Sequence, residues 1–125
     1  MSQDGFALLA RLLLAALFLL AGLNKLTTID GTIGYIASVG LPLPEIVFAG
    51  TVAFEIVGAL MLALGLRTRM VAAALGVFTL LTALIFHNDF SQAIEMTLFL
   101  KNLAIAGGMF ALAAWGAGRL AIDAR

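Results

Sequence analysis

Seven residues able to do chemistry stand in or beside long apolar runs of this sequence: Arg11, Asn24, Lys25, Glu55, His87, Lys101 and Asn102. His87, whose imidazole can pass a proton at the outer mouth, and Glu55, which would orient the basic groups, are the catalytic candidates. Arg11, Lys25, Lys101, Asn102 and Asn24 offer positive charge and hydrogen-bond donors, and they are the ligand-binding candidates. One acid deep in an apolar run, Glu55, faces Arg11, Lys101 and, nearer the rim, Lys25. Cationic donors are therefore left over for a ligand that is anionic or becomes so. A quinone head group fits, because its carbonyl oxygens accept hydrogen bonds and gather negative charge on reduction.

Helical spacing indicates where these side chains point. Arg11, Ala15, Phe18, Gly22 and Lys25 recur every three or four residues and form one stripe. Thr51, Glu55, Gly58 and Ala59 form a second stripe, and Gly76, Thr79, Ala83 and His87 a third. Thr97, Lys101, Ala104, Ile105 and Gly108 are the expected fourth. Small residues beside each polar one let a neighbouring helix approach closely. At 1.5 Å per residue, Glu55 lies about 15 Å from the start of its helix, with Lys101 on one side of it and Arg11 on the other. Glu55 is expected to pair with Arg11 or Lys101, since an unpaired buried carboxylate costs several kcal/mol. His87, Asn102, Asn24 and Lys25 would ring the mouth. The structural alternatives are an Arg11–Glu55 pair that only sets helix register, an Arg11 that snorkels to the headgroups, and a His87 that only hydrogen-bonds at the interface.

The elements that must carry these residues follow from composition. The chain has 125 residues, 63% hydrophobic and 11% charged, with a mean hydropathy of +1.14. Soluble domains are about 45–50% apolar and about 25% charged, so this is an integral membrane protein whose first partner is the lipid bilayer. Residues 1–125 make a single domain. There is no cysteine, which excludes disulfides, thiol redox chemistry and cysteine-held clusters. One histidine cannot supply bis-histidine haem ligation, no metal-ligand set is visible, and the zero net charge gives no sign of nucleic acid. No covalently bound cofactor is expected, and any redox electrons must travel on a bound small molecule or through a partner.

Four segments are long and apolar enough to cross a bilayer: Phe6–Leu26, Glu45–Leu64, Met70–Phe86 and Thr97–Ala114. The fold class is thus all-α, a four-transmembrane-helix antiparallel bundle with a short external interfacial helix. That helix falls in Thr27–Pro44, capped by Asp30, with Ile29, Ile33 and Ile36 as its apolar face, and it roofs the outer mouth. Asn88–Glu95, capped by Asn88 or Asp89, is a shorter candidate of the same kind. Pro44 suits a first helical turn, and Gly65 ends its helix before a tight turn. The first segment lacks a basic leader and carries Arg11 within it, so it reads as a retained helix and not a signal peptide. Arg67, Arg69, Arg119 and Arg125 share one side with the termini, which places both termini in the cytoplasm. Trp115 reads as an interface anchor.

The stretches ARLLLAALFLLAGLNKL, GLPLPE, FEIVGALMLALGLRTR, FHNDF and FLKNLAIAGG, from about Ala10 to Gly108, resemble the DoxX family of small bacterial inner-membrane proteins. FHNDF followed by FLKNL resembles its YqjF-type branch. The resemblance implies a four-helix bundle in the bacterial inner membrane, acting as an oxidoreductase or a subunit of one. Another branch, DoxD, is a subunit of thiosulfate:quinone oxidoreductase. By position, the family's polar pattern falls on Arg11, Gly22, Lys25, Glu55, Gly65, His87, Lys101 and Asn102.

The leading expectation is a membrane component of an oxidoreductase system that binds a quinone or similar small molecule between its helices and works with partner redox subunits. The alternatives are a small-molecule or ion transporter using the same pocket, and a membrane scaffold or homo-oligomer packed through Ala104–Gly108 or Gly107–Ala111. Transport would favour broken helices, and no proline lies inside a span.

Overall fold

A computed structural model describes residues 1–124 and contains α1 (Gln3–Thr27), α2 (Ile29–Ser38), α3 (Pro44–Leu64), α4 (Thr68–Phe86), α5 (Ala93–Trp115) and a 3-10 turn at Ile122–Ala124. The chain's fold is all-α: α1, α3, α4 and α5 are long and apolar enough to span a bilayer, and α2 is the short helix expected between the first two. Arg125, counted above with the basic residues near the termini, lies outside the described residues.

Each span begins or ends where backbone chemistry demands. Ser2 caps α1, its hydroxyl accepting the Gly5 N–H at 3.0 Å. Pro44 occupies the first turn of α3. At the far end of α3, Gly65 takes φ 70°, and Leu66 N–H donates to the Met61 carbonyl at 2.8 Å. This is the left-handed glycine stop that satisfies the last carbonyls of a helix. A Cβ at Gly65 would collide with Ala121 and with the Arg11 guanidinium, so close packing as well as conformation requires glycine there.

The spans pack as two tight antiparallel pairs, α1 with α3 and α4 with α5. The pairs meet through Ala15, Phe18, Ala59, Leu62, Val71, Ala72, Leu75, Met109 and Leu112, all buried, in the half of the bundle nearer the termini. Small residues bring the helices together: Gly22 packs against Ile56, Gly58 against Leu75 and Gly76 against Phe110. Towards the other end the pairs leave space between them. There α2 inserts Ile36 against Phe48 and Val52 of α3, with Phe86 of α4 packed on the same cluster.

Three expectations are corrected. Asn88–Glu95 forms no separate helix: α5 begins at Ala93, a turn earlier than expected. Asp89 instead binds the Ser91 amide and hydroxyl and the Gln92 side chain, and these hydrogen bonds hold its carboxyl below the usual range. Asp30 does not cap α2, which starts one residue before it, with Thr28 at the cap position. On α5 the buried stripe is Asn102, Ala106, Met109 and Leu112, while Thr97, Lys101, Ala104 and Gly108 are exposed. Apolar residues surround α5 on all sides, so its pattern could not choose a face, and the expected stripe lies about one residue away from the true one.

The end that carries the termini is closed by polar contacts. Arg11 is fully buried and donates to the carbonyls of Leu62 and Ala63, each at 3.2 Å, and to that of Leu120. It thereby supplies a cation and donors to the C-terminal end of α3. The tail after α5 folds back: Asp123 accepts the N–H groups of Arg67 at 2.6 Å and Thr68 at 2.8 Å, and Arg119 N–H donates to Asp4 at 3.0 Å. Partial burial pushes the Asp123 carboxyl up. The hydrogen bonds from Thr68 and Arg67, with the Arg11 charge nearby, outweigh this and hold it below the usual carboxylate range. Arg69 donates to the Ala114 carbonyl at 2.7 Å, so it caps α5 as well as adding charge to this end.

Candidate ligand-binding site

The space between the two helix pairs is a cavity of about 420 Å³, lined by residues of all four spans and roofed by Thr32, Tyr35 and Ile36 of α2. Of the residues singled out by type and spacing, Lys25, Glu55, His87, Lys101 and Asn102 line it. Arg11 and Asn24 do not. Arg11 lies 14 residues along the stripe from Lys25, about 21 Å at the helical rise, and is engaged at the opposite end of the bundle. Asn24 is exposed, and its backbone carbonyl accepts the Thr27 hydroxyl at 2.7 Å.

The expectation that Glu55 pairs with Arg11 or Lys101 is corrected. Its partner is Lys25, whose Nζ stands 2.8 Å from Oε1. The two meet because Gly22 lets α1 pack against α3 beside Glu55, which brings the next turn of the same α1 stripe level with the carboxylate. The Glu55 side chain is 5% exposed and that of Lys25 27%, so the pair runs from the bundle interior towards the rim. The contact has the distance of an ion pair but not the alignment of a good hydrogen bond, which leaves Oε1 without a well-directed donor.

Asn102 ties α5 to α4. Its amide donates to the Thr82 hydroxyl at 3.2 Å and, less closely, to the Thr79 carbonyl at 3.4 Å. Its own carbonyl oxygen makes no hydrogen bond among the described residues, in a cavity that is otherwise mainly apolar. Lys101, the next residue, is exposed, lines the cavity and has no carboxylate partner among the described residues. Leu17 of α1 is likewise exposed while lining the cavity, as are Leu81 and Ile85 of α4. The cavity therefore reaches the sides of the bundle, where hydrocarbon would surround it.

At the mouth, His87 ends α4, and its Nδ1 lies 3.1 Å from Glu95 Oε2 in the first turn of α5. Tyr35 of α2 donates its hydroxyl to the Phe86 carbonyl at 3.0 Å, and the two rings stand 5.2 Å apart. Burial first, and the nearby Glu95 charge second, push the Tyr35 hydroxyl up from its ordinary value. Glu95 and Tyr35 escaped the reading by spacing. Spacing places Glu95 in a separate short helix, and only the earlier start of α5 carries it to the end of α4. Tyr35 stands in the external helix, one residue from the expected apolar face, and its aromatic ring gave no sign that its hydroxyl holds the roof down.

Among the described residues the arrangement offers an apolar chamber with one free cation, one paired acid, an amide oxygen and an imidazole. It can hold a flat or elongated apolar molecule by burial and orient its oxygen atoms by hydrogen bonds.

The family model for DoxX matches residues 6–88, which take in most of α1, the whole of α2 to α4 and the positions of Lys25, Glu55 and His87. Inner membrane protein YqjF of Escherichia coli (strain K12) is 38% identical over 124 residues, covering 97% of this chain and 92% of that protein. Inner membrane protein YphA of the same organism is 34% identical over 123 residues, covering 94% of this chain and 88% of that protein. No solved structure matches.

Proposed function

The chain belongs to the DoxX family, and from that premise we propose that its cavity holds the head group of a lipid-soluble quinone or a similar small molecule. The protein is then a multi-pass inner-membrane component of an oxidoreductase system, with the electrons supplied by a partner subunit. The observation that carries this reading is Lys101, an ammonium without a carboxylate partner among the described residues, on the wall of a mainly apolar cavity that opens sideways. A cation so placed is complementary to an oxygen that is electron-rich or becomes negative. The Lys25–Glu55 pair supplies a second donor, and the lateral openings beside Leu17 and Leu81 give an isoprenoid tail a path into the bilayer.

The gathering of Arg67, Arg69 and Arg119 at the terminal end supports cytoplasmic termini, with the cavity mouth facing the other compartment. Reporter fusions after Ala124 and within Ile29–Ser38 should report opposite compartments; agreement between them overturns this orientation.

Transport gains less support, because the buried contacts of Arg11 and the apolar cluster around Leu62 and Leu75 close the cavity's route to the terminal end. Scaffolding has one observation of its own: Ala104, Gly107 and Ala111 are exposed on α5, and no described residue comes within 4 Å of a Cβ at Gly107. Binding separates these readings. A water-soluble quinone analogue should bind purified wild type saturably, and Lys101→Met should weaken it about tenfold, the scale of one charge-assisted hydrogen bond. Absence of saturable binding overturns the quinone reading.

A further inference from the structure

We propose that Glu95 is a positioning residue for His87: it holds the imidazole as the Nδ1–H tautomer and turns a bare Nε2 towards the cavity, which therefore takes a hydroxylated head group, a quinol or another phenol. This rests on the quinone-type reading above and goes beyond it by naming the form of the ligand that the mouth of the cavity recognises.

The argument starts from the 3.1 Å contact between His87 Nδ1 and Glu95 Oε2. An ionised carboxylate only accepts hydrogen bonds, so the nitrogen facing it carries the hydrogen, and in a neutral ring the other nitrogen must then hold a lone pair. Free histidine favours the opposite tautomer, with hydrogen on Nε2, so this contact reverses the ring's own preference. Nε2 makes no hydrogen bond among the described residues, while His87 lines the cavity.

The neighbouring elements leave that lone pair free. Tyr35 of α2 spends its hydroxyl hydrogen on the Phe86 carbonyl. Lys25 of α1 is engaged by Glu55 of α3. Asp89, in the α4–α5 connection, is occupied by Ser91 and Gln92. Lys101 of α5 lines the same cavity and is a donor, but it makes no hydrogen bond to the imidazole among the described residues. A carbonyl oxygen brought to Nε2 would meet lone pair against lone pair, whereas a hydroxyl donates to it. Should the proton pass, the ligand O–H bond breaks and an Nε2–H bond forms. The imidazolium then faces the Glu95 carboxylate, the phenolate oxygen is held by the Lys101 ammonium, and no electrons change hands in this step.

His87 is the single histidine of the chain, so selective nitrogen-15 labelling of purified protein gives one pair of ring resonances to read. In the neutral ring, which the pair of nitrogen resonances identifies directly, the wild-type hydrogen should sit on Nδ1. In Glu95→Leu the hydrogen should move to Nε2. A soluble benzoquinol should bind wild type more tightly than the matching benzoquinone, and Glu95→Leu should weaken the quinol about tenfold while changing the quinone far less. A wild-type ring with its hydrogen on Nε2 overturns the inference, and this readout needs no variant to fold. Equal binding of both forms by wild type overturns the inference alone. Failure of wild type to bind either form overturns the cavity reading beneath it.

Discussion

Replacing Lys25 by methionine keeps the length and packing of the side chain but leaves Glu55 buried without its cation. At 2.8 Å the gross attraction between the two charges is about 6 kcal/mol at an effective dielectric of about 20. Lys25 is 27% exposed, so water screens part of this, and the desolvation of Glu55 offsets more. Proton uptake sets the ceiling. A carboxyl of ordinary acidity, pKa about 4.3, can be neutralised at pH 7 for about 3.7 kcal/mol. A variant facing a larger loss folds with Glu55 protonated instead. Lys25→Met should therefore cost about 3 kcal/mol at pH 7. The folded variant then binds a proton that its unfolded form has released, so its deficit grows with rising pH and shrinks as pH falls towards about 4–5. Unfolding in mixed micelles, followed by helical circular dichroism across that range, reads both quantities. The double variant Lys25→Met/Glu55→Gln should regain most of the loss, since no charge is then left unpaired. A Lys25→Met protein as stable as wild type at pH 7, with no dependence on pH, would refute the ion pair as described.

Asp123→Ala should destabilise by about 1 kcal/mol, the usual worth of a lost helix cap, because two amide hydrogens at the start of α4 lose their acceptor. The wild-type carboxyl titrates below its ordinary value, so this stabilisation is present above about pH 4 and is lost as pH falls through the folded-state value; the same unfolding assay run on both proteins should show their difference closing there. Gly65→Ala meets both a left-handed backbone and a collision with Ala121, and it should lower stability by at least about 1 kcal/mol, with Arg11→Met adding less than its full effect on top because the two share one contact.

The sequence disclosed this fold where polar groups interrupt apolar runs. The α1 stripe Arg11, Ala15, Phe18 and Gly22 is the buried stripe of that helix, because a single polar residue among small ones leaves only one economical orientation. The α3 residues Glu55, Gly58 and Ala59 and the α4 residues Gly76, Thr79 and Ala83 are buried for the same reason. Partner choice was harder to read. Helical spacing gives the direction of a side chain but not the vertical offset between helices, and that offset, set by Gly22 against α3, gave Glu55 to Lys25. The α5 face escaped because leucine, isoleucine and phenylalanine surround the helix. The folded-back tail escaped because each of its polar contacts has a backbone atom on at least one side, which leaves no pattern of paired side-chain types.

The central claim is that a quinone-type head group sits between the two helix pairs, and photo-crosslinking tests it most directly. A photoreactive quinone analogue, added to membranes containing the protein, should label peptides spanning Thr79–His87 and Lys101–Ile105. Excess unlabelled analogue should suppress that labelling. Labelling confined to the outer surface of α5 around Gly107 and Ala111, or to the terminal end around Arg67 and Trp115, and unaffected by the competitor, would contradict it.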